Sequence, residues 1–345
     1  MRLHPFKLAG SLLALHGFLC AQAQVAFPSV DFGNNGTTLI QNVGAIMDIG
    51  IAETVEDPQG RLFSVGFYDD GISHGFVQCF AQDGTISTSF GTNGRYITPD
   101  SLGELFFVSA AVRPDGRILL IDLGAVTPPY RVTLVQLMPD GTPDPEFGMN
   151  GIADVGCDVY LRAQDLLLSP DGSAYIGGML HAWPYVVHIA EDGSLDTNFG
   201  EGTVAFPMPV EYEGVVSELA YSPGGYITMV GSENAFTCTN GFVAAIDLAG
   251  DPVSWFGQGG HTMIDNSPLG SEIPRCLKMA TDGALVVTGM RNFNDGRSRF
   301  VLRLQPDGTP DTEFGTNGVL DIVTPGAVSK GGGCFLTCFQ VETSC

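Results

Sequence analysis

A Phe-Gly pair returns six times along the chain, at Phe32, Phe90, Phe147, Phe199, Phe256 and Phe314, at intervals of 58, 57, 52, 57 and 58 residues. A period of that length marks one supersecondary unit copied in tandem, and such a unit buries its apolar faces only by stacking on its neighbours. Each pair closes the same phrase. It is fullest at Asp140-Gly141-Thr142-Pro143-Asp144-Pro145-Glu146-Phe147-Gly148-Met149-Asn150-Gly151, and it returns from Asp192 and again from Asp307 to Gly318. Between phrases runs a second signal, seen as Arg113-Pro114-Asp115-Gly116, Ser169-Pro170-Asp171-Gly172 and Ser222-Pro223-Gly224-Gly225. Asp-Gly between two apolar runs predicts a tight hairpin, because glycine accepts the positive φ that the turn requires.

The apolar runs alternate with period two. Phe80, Leu137, Ile189, Ile246 and Leu304 stand just before the phrases, and Gln78, Val135, Val187, Ala244 and Leu302 lie two residues earlier on the same face. That spacing predicts strands. Each unit then holds four of them, and the fold class is all-β: a β-propeller of four-stranded blades. Five complete strand sets against six phrases predict five blades with a surplus strand at one end. A six-bladed ring is the alternative, and it requires a further strand set from residues 319–345. The recurring Phe is expected to pack between neighbouring blades.

The ends of the chain read differently from its middle. Arg2 and Lys7 precede an uncharged apolar stretch from Leu8 to Cys20, followed by Ala21-Gln22-Ala23. This is the pattern of a secretory signal peptide over residues 1–23, cleaved after Ala23. The repeats occupy 24–323 with a period of about 57 residues, and 324–345 reads as an irregular tail carrying Cys334, Cys338 and Cys345. An exported chain meets an oxidising compartment, which permits disulfides whose pairing the sequence does not fix. The expected location is outside the cell or on its outer surface.

The phrase Asp-Gly-Thr-x-Asp-x-x-Phe-Gly-x-Asn-Gly, spaced with Pro-Asp-Gly strands, resembles the delta-sixty repeat of bacterial secreted and surface proteins. The resemblance covers about residues 28–323. It implies a propeller-type tandem repeat and no uniform activity.

Charge narrows the partners. The chain carries 15 Lys and Arg against 38 Asp and Glu, a formal net charge of −23. Such a field repels nucleic acid and anionic head groups, whose binding depends on Lys and Arg neutralising phosphate. No stretch is long and apolar enough for a membrane-spanning helix. An extracellular glycan or protein remains as partner.

Recurring acids pose the one metal question. Asp140 with Asp144, Asp192 with Asp196, and Asp307 with Asp311 could supply oxygens to Ca²⁺. The alternative is an Asx-turn, in which the carboxylate accepts backbone amides. The copy with Ser87 in the second place, and the copy with Ala249 in the first, favour the turn, and no cofactor is expected. His188 falls on a strand position shared with Cys79, Gln136, Ala245 and Arg303, so it reads as a strand residue. No nucleophile elbow, zinc motif or phosphate loop occurs.

Function is therefore expected where the copies differ. The Asp-Gly turns are uniform in length, whereas the connections at the opposite end of the blades vary, and variable loops on a rigid scaffold are where binding concentrates. Asp69, Asp70, Trp183, Tyr212, Glu213 and Asp295 are the candidate binding residues of that end. The leading reading is a non-catalytic binding or scaffold module. One alternative is a carbohydrate-active hydrolase or lyase built on acids such as Asp100, Glu213 and Asp265, and another is a structural surface protein.

Overall fold

The computed structural model describes residues 33, 48–124, 131–156, 161–208, 213–234, 239–264, 271–293 and 296–322. The signal region 1–23, the tail 324–345, and Tyr212, Asp265 and Asp295 lie outside the described residues.

The turns place the strands as their sequence requires. Between the first and second strands of each blade the chain reverses through a glycine with positive φ, from 78° at Gly60 and Gly225 to 92° at Gly172. The first blade contains β1 (Asp48–Glu56), β2 (Leu62–Asp69), β3 (Ser73–Phe80) and β4 (Arg95–Ile97). The second contains β5 (Phe107–Val112), β6 (Ile118–Asp122), β7 (Arg131–Leu137) and β8 (Ile152–Gly156). The third contains β9 (Leu161–Leu168), β10 (Ala174–Leu180), β11 (Trp183–Ile189) and β12 (Val204–Ala205). The fourth contains β13 (Gly214–Tyr221), β14 (Ile227–Asn234), β15 (Thr239–Ile246) and β16 (His261–Ile264). The fifth contains β17 (Ser271–Met279), β18 (Leu285–Phe293), β19 (Gly296–Leu304) and β20 (Val319–Ile322). In all five, each strand pairs antiparallel with its sequence neighbours, so the blades are up-and-down sheets. The first strands of consecutive blades pack on one another and form the inner lining.

The core lies between blades rather than within them. Phe90 joins Phe63, Val65 and Val77 of the first blade to Phe107, Ile118 and Leu120 of the second. Phe147, Phe199 and Phe256 seal the next three junctions, and each is at most 1% exposed. Burying one such ring is worth roughly 1.5–3 kcal/mol. The glycine beside each Phe ties the blades further. Gly91 N donates to the Asp140 carbonyl (2.6 Å), Gly148 N to Asp192 (2.9 Å), Gly200 N to Ala249 (2.8 Å) and Gly257 N to Asp307 (2.7 Å). Gly33 N, of the N-terminal Phe-Gly pair, makes the same bond to Asp83 (2.6 Å).

The fifth blade ends differently. Thr228, Val230, Val243 and Ala245 of the fourth blade are fully buried against the fifth. Their counterparts Val286, Thr288, Val301 and Arg303 are only half-buried, as is Phe314. Among the described residues, β17 does not pack on β1 as the four consecutive pairs of inner strands pack.

One regularity was invisible beforehand. Every inner strand has a register shift at the same place: between Ile51 and Glu53, Phe107 and Ser109, Ala163 and Asp165, Val216 and Glu218, and Pro274 and Cys276. A bulge of this kind re-aims the side chain that follows it. The residues re-aimed are Glu53, Ser109, Asp165, Glu218 and Cys276.

Candidate functional site

Three sets of polar side chains bear on function: the variable loop end, the inner lining, and the uniform end that carries the repeated phrases.

At the variable end the first blade brings several predicted residues together. The β2–β3 turn is held by Asp69, whose Oδ1 accepts Gly71 N (2.7 Å) and whose Oδ2 accepts the Ser73 hydroxyl (3.3 Å). Asp69 is thus a turn residue. Asp70 is exposed and accepts the Tyr68 hydroxyl at Oδ2 (3.1 Å). Tyr68 stacks on His74 with centroids 5.0 Å apart, and the His74 Nδ1–H donates to the Thr98 carbonyl (3.0 Å). That bond anchors the connection to the second blade, which carries exposed Asp100 in a short 3-10 turn and exposed Glu104. Phe67 packs on Phe106 at 5.1 Å, Ile72 stands 42% exposed at the hairpin tip, and Asp122 accepts Phe106 N (2.8 Å). Burial pushes the Asp122 carboxyl up to about 6.

Trp183 is placed differently from the sequence expectation. It opens β11 opposite Leu180, half-buried, rather than standing in a loop, because the hairpin turn is only His181 and Ala182. His181 takes a φ of 56° there and packs edge-on to Trp183 at 6.1 Å. The Ala182 carbonyl accepts Gly214 N (2.5 Å), which sets exposed Glu213 beside this hairpin. Trp183 and Glu213 therefore both lie at the junction of the third and fourth blades, and Asp69 and Asp70 belong to the first.

The inner lining holds three acids that the sequence reading missed. Glu53 Oε2 accepts Ala110 N and the Ser109 hydroxyl, both at 2.9 Å. Asp165 Oδ2 accepts Leu219 N (2.7 Å), and Glu218 Oε2 accepts Leu277 N (2.6 Å). Each carboxylate thus reaches from its own blade to the unpaired inner edge of another, satisfying an amide that no strand covers. Burial is the first cause that raises the carboxyls of Glu53 and Asp165. It pushes Glu218 up to about 7 although Lys278 Nζ lies 3.1 Å from Oε1. Ser109 also lies 3.2 Å from Asp165 Oδ1. One hydroxyl proton faces two carboxylates there. The signal was present but unread: four residues before every Asp-Gly turn the copies read Glu, Ser, Asp, Glu and Cys.

At the uniform end the paired aspartates act as turn acceptors. Asp140, Asp192 and Asp307 each accept the amide and hydroxyl two residues on, at 2.6–2.9 Å. Those bonds hold all three carboxyls below the usual range. Asp144, Asp196 and Asp311 give one oxygen to an amide two residues on (3.0, 2.9 and 3.2 Å). Their other oxygen meets the strand residue eight positions earlier: Gln136 Nε2 at 2.7 Å, His188 Nδ1 at 2.9 Å, and Arg303. The copy with Val253 in this place has Ala245 opposite, so polar pairs with polar and apolar with apolar. Among the described residues no group of three or more His, Cys, Asp or Glu side chains is placed to hold a metal ion.

Comparison with known proteins matches the architecture. The family model described as "Domain of unknown function (DUF5122) beta-propeller" matches residues 113–147 and 280–314. No curated protein matches the sequence. Among solved structures the chain is similar to a Synechocystis apocarotenoid oxygenase at 13% identity and a TM-score of 0.47, over 84% of this chain and 66% of that one. It is similar to Drosophila Semaphorin 1b at 10% identity and a TM-score of 0.40, over 74% and 54%. It is also similar to an endo-1,4-beta-xylanase from Bacteroides thetaiotaomicron at 13% identity and a TM-score of 0.29, over 73% and 89%. The chain spans 66% of the length of the oxygenase. With five four-stranded antiparallel sheets and a propeller family model matched in two of them, the chain is a β-propeller-type repeat protein.

Proposed function

We propose that this protein is an exported, non-catalytic binding module of the delta-sixty kind that engages a basic protein partner through its variable loop end. The observation that carries the reading is a division of labour among the acids. Glu53, Asp165 and Glu218 of the inner lining and the repeated aspartates of the uniform end accept amides, hydroxyls or cationic side chains of the fold itself. At the variable end Asp70, Asp100 and Glu104 are exposed on the first blade and its connection to the second, where Ile72 is an apolar tip residue, and Glu213 is exposed at the junction of the third and fourth blades. Exposed carboxylates beside an apolar anchor suit a partner with Lys or Arg around an aliphatic or aromatic side chain, where charge speeds encounter and the apolar contact holds it. Export rests on the basic and apolar pattern of residues 1–23.

The test has two arms. Mass spectrometry of the protein recovered from the producing cells should give a mature chain beginning at Gln24; a chain retaining residues 1–23 in the cytoplasm refutes export. Binding of the mature chain to an array of cationic and neutral peptides should fall steeply with salt and drop at least tenfold in the Asp70→Asn/Glu213→Gln double variant. Binding that is insensitive to both refutes the loop-end reading. A glycan bound at this end with equal sensitivity would transfer the reading to a sugar ligand.

A further inference from the structure

The fourth blade departs from the repeat at the uniform end, and it does so at several positions together. Where the other copies have Asp83, Asp140, Asp192 and Asp307, this copy has Ala249. Leu248 replaces Gln82, Pro139, Glu191 and Pro306, and Trp255 replaces Ser89, Glu146, Asn198 and Glu313. After the Asp-Gly turn, Tyr226 stands where the others have Arg61, Arg117, Ser173 and Ala284. The turn is nevertheless kept, because its acceptor has moved two residues upstream: Asp247 Oδ1 takes the amides of Ala249 (2.9 Å) and Asp251 (3.0 Å). The turn therefore does not require Leu248 or Trp255.

The core absorbs Tyr226, 7% exposed beside Phe256, but not the other two: Trp255 is 57% exposed and Leu248 is 46% exposed. The indole is held in place from beneath. Tyr226 packs against it at 5.3 Å with the rings at 89°, and the Tyr226 hydroxyl donates to the Pro306 carbonyl (3.1 Å), so its support is fixed to the fifth blade. A tryptophan that is both open and fixed loses little freedom when something stacks on it. Asp251, Ser254 and Gln258 are exposed in the same two turns and offer acceptors and donors to hydroxyl groups.

We propose that this corner of the fourth blade is a stacking site for a pyranose ring of a neutral polysaccharide, with Trp255 as the platform. The C–H face of a sugar ring is apolar and flat enough to lie on an indole, while its equatorial hydroxyls reach outward to polar side chains. Neutrality follows from the charge of the chain, since a net −23 repels acidic polymers. This site lies at the end of the molecule opposite the loop end and is independent of the protein partner assigned there.

The chain has two tryptophans, Trp183 and Trp255, so intrinsic fluorescence reports on the site directly. The mature chain is titrated with xylohexaose, cellohexaose and laminarihexaose. At least one should give a saturable change in emission and a calorimetric binding isotherm. Trp255→Ala should weaken that binding at least tenfold with no change in melting temperature, and Trp255→Tyr should retain most of it. Silence with all three sugars overturns the proposal, and so does binding unaltered in Trp255→Ala. Light scattering provides the remaining arm: self-association lost in Trp255→Ala would assign the patch to a second copy of the chain and overturn the sugar site.

Discussion

Replacing Glu218 by Gln should stabilise the protein at pH 8 and do so much less at pH 5. The Glu218 carboxyl is pushed from 4.5 up to about 7, chiefly by burial. A shift of that size corresponds to a ceiling of about 3 kcal/mol. The sign follows from proton binding. Below about pH 4.5 both the folded and the unfolded chain hold the proton and the group adds no penalty. Between there and pH 7 the unfolded chain releases its proton while the folded chain keeps it, so stability falls as pH rises, and above about 7 the full penalty remains. The Gln side chain still accepts Leu277 N, and the Lys278 ion pair that it loses already acts to lower the carboxyl, so its loss is contained in that ceiling. The net gain at pH 8 is then at most about 3 kcal/mol. Urea denaturation of both proteins at pH 5 and pH 8 reads this directly, as a rise in midpoint for the variant that is larger at pH 8 than at pH 5. Asp122, Glu53 and Asp165 are raised as well and act with the same sign, so the wild-type chain should be more stable at pH 5 than at pH 8. Equal destabilisation of Glu218→Gln at both pH values would refute the reasoning, because it would mean that the ionised carboxylate is a net stabiliser.

Other consequences can be read from differences between the copies. Phe147→Ala should cost about 3–5 kcal/mol, and Phe314→Ala clearly less, because the first ring is sealed between blades and the second is half-buried; equal shifts in denaturation midpoint would contradict this account of the interfaces. Val243→Asp should prevent stable folding, whereas Val301→Asp, at the equivalent position of the fifth blade, should be tolerated with a modest loss of melting temperature. Asp140→Ala should cost about 1 kcal/mol as a lost turn acceptor. Excess EDTA should leave the melting temperature within a degree, and a larger fall would restore a calcium role for the aspartate pairs.

Much of the architecture was legible because it depends on local chemistry repeated many times. Asp-Gly turns need glycine at positive φ, strands need alternation, and the Phe of each phrase needs a neighbour to cover it. The paired aspartates were legible as turn acceptors too, since the copies with Ser87 and Ala249 show that the phrase tolerates losing a carboxylate. Trp183 was misplaced because the length of a hairpin turn depends on the register of the two strands it joins, and composition does not reveal that register. Glu53, Asp165 and Glu218 went unnoticed for a similar reason. Their role depends on a bulge in the inner strand and on an amide in another blade, and both are facts about pairing rather than about residues.

The sequence by itself determined the unit, its period and its turns, because those follow from φ preferences and side-chain alternation within a few residues. The tertiary structure alone decided which acids are committed to the scaffold and which stand exposed. It also decided that the fifth blade keeps a half-buried face and that the tryptophan of the fourth blade is open. Those properties depend on what lies across a blade interface, and a residue there is separated from its partner by a full repeat of chain.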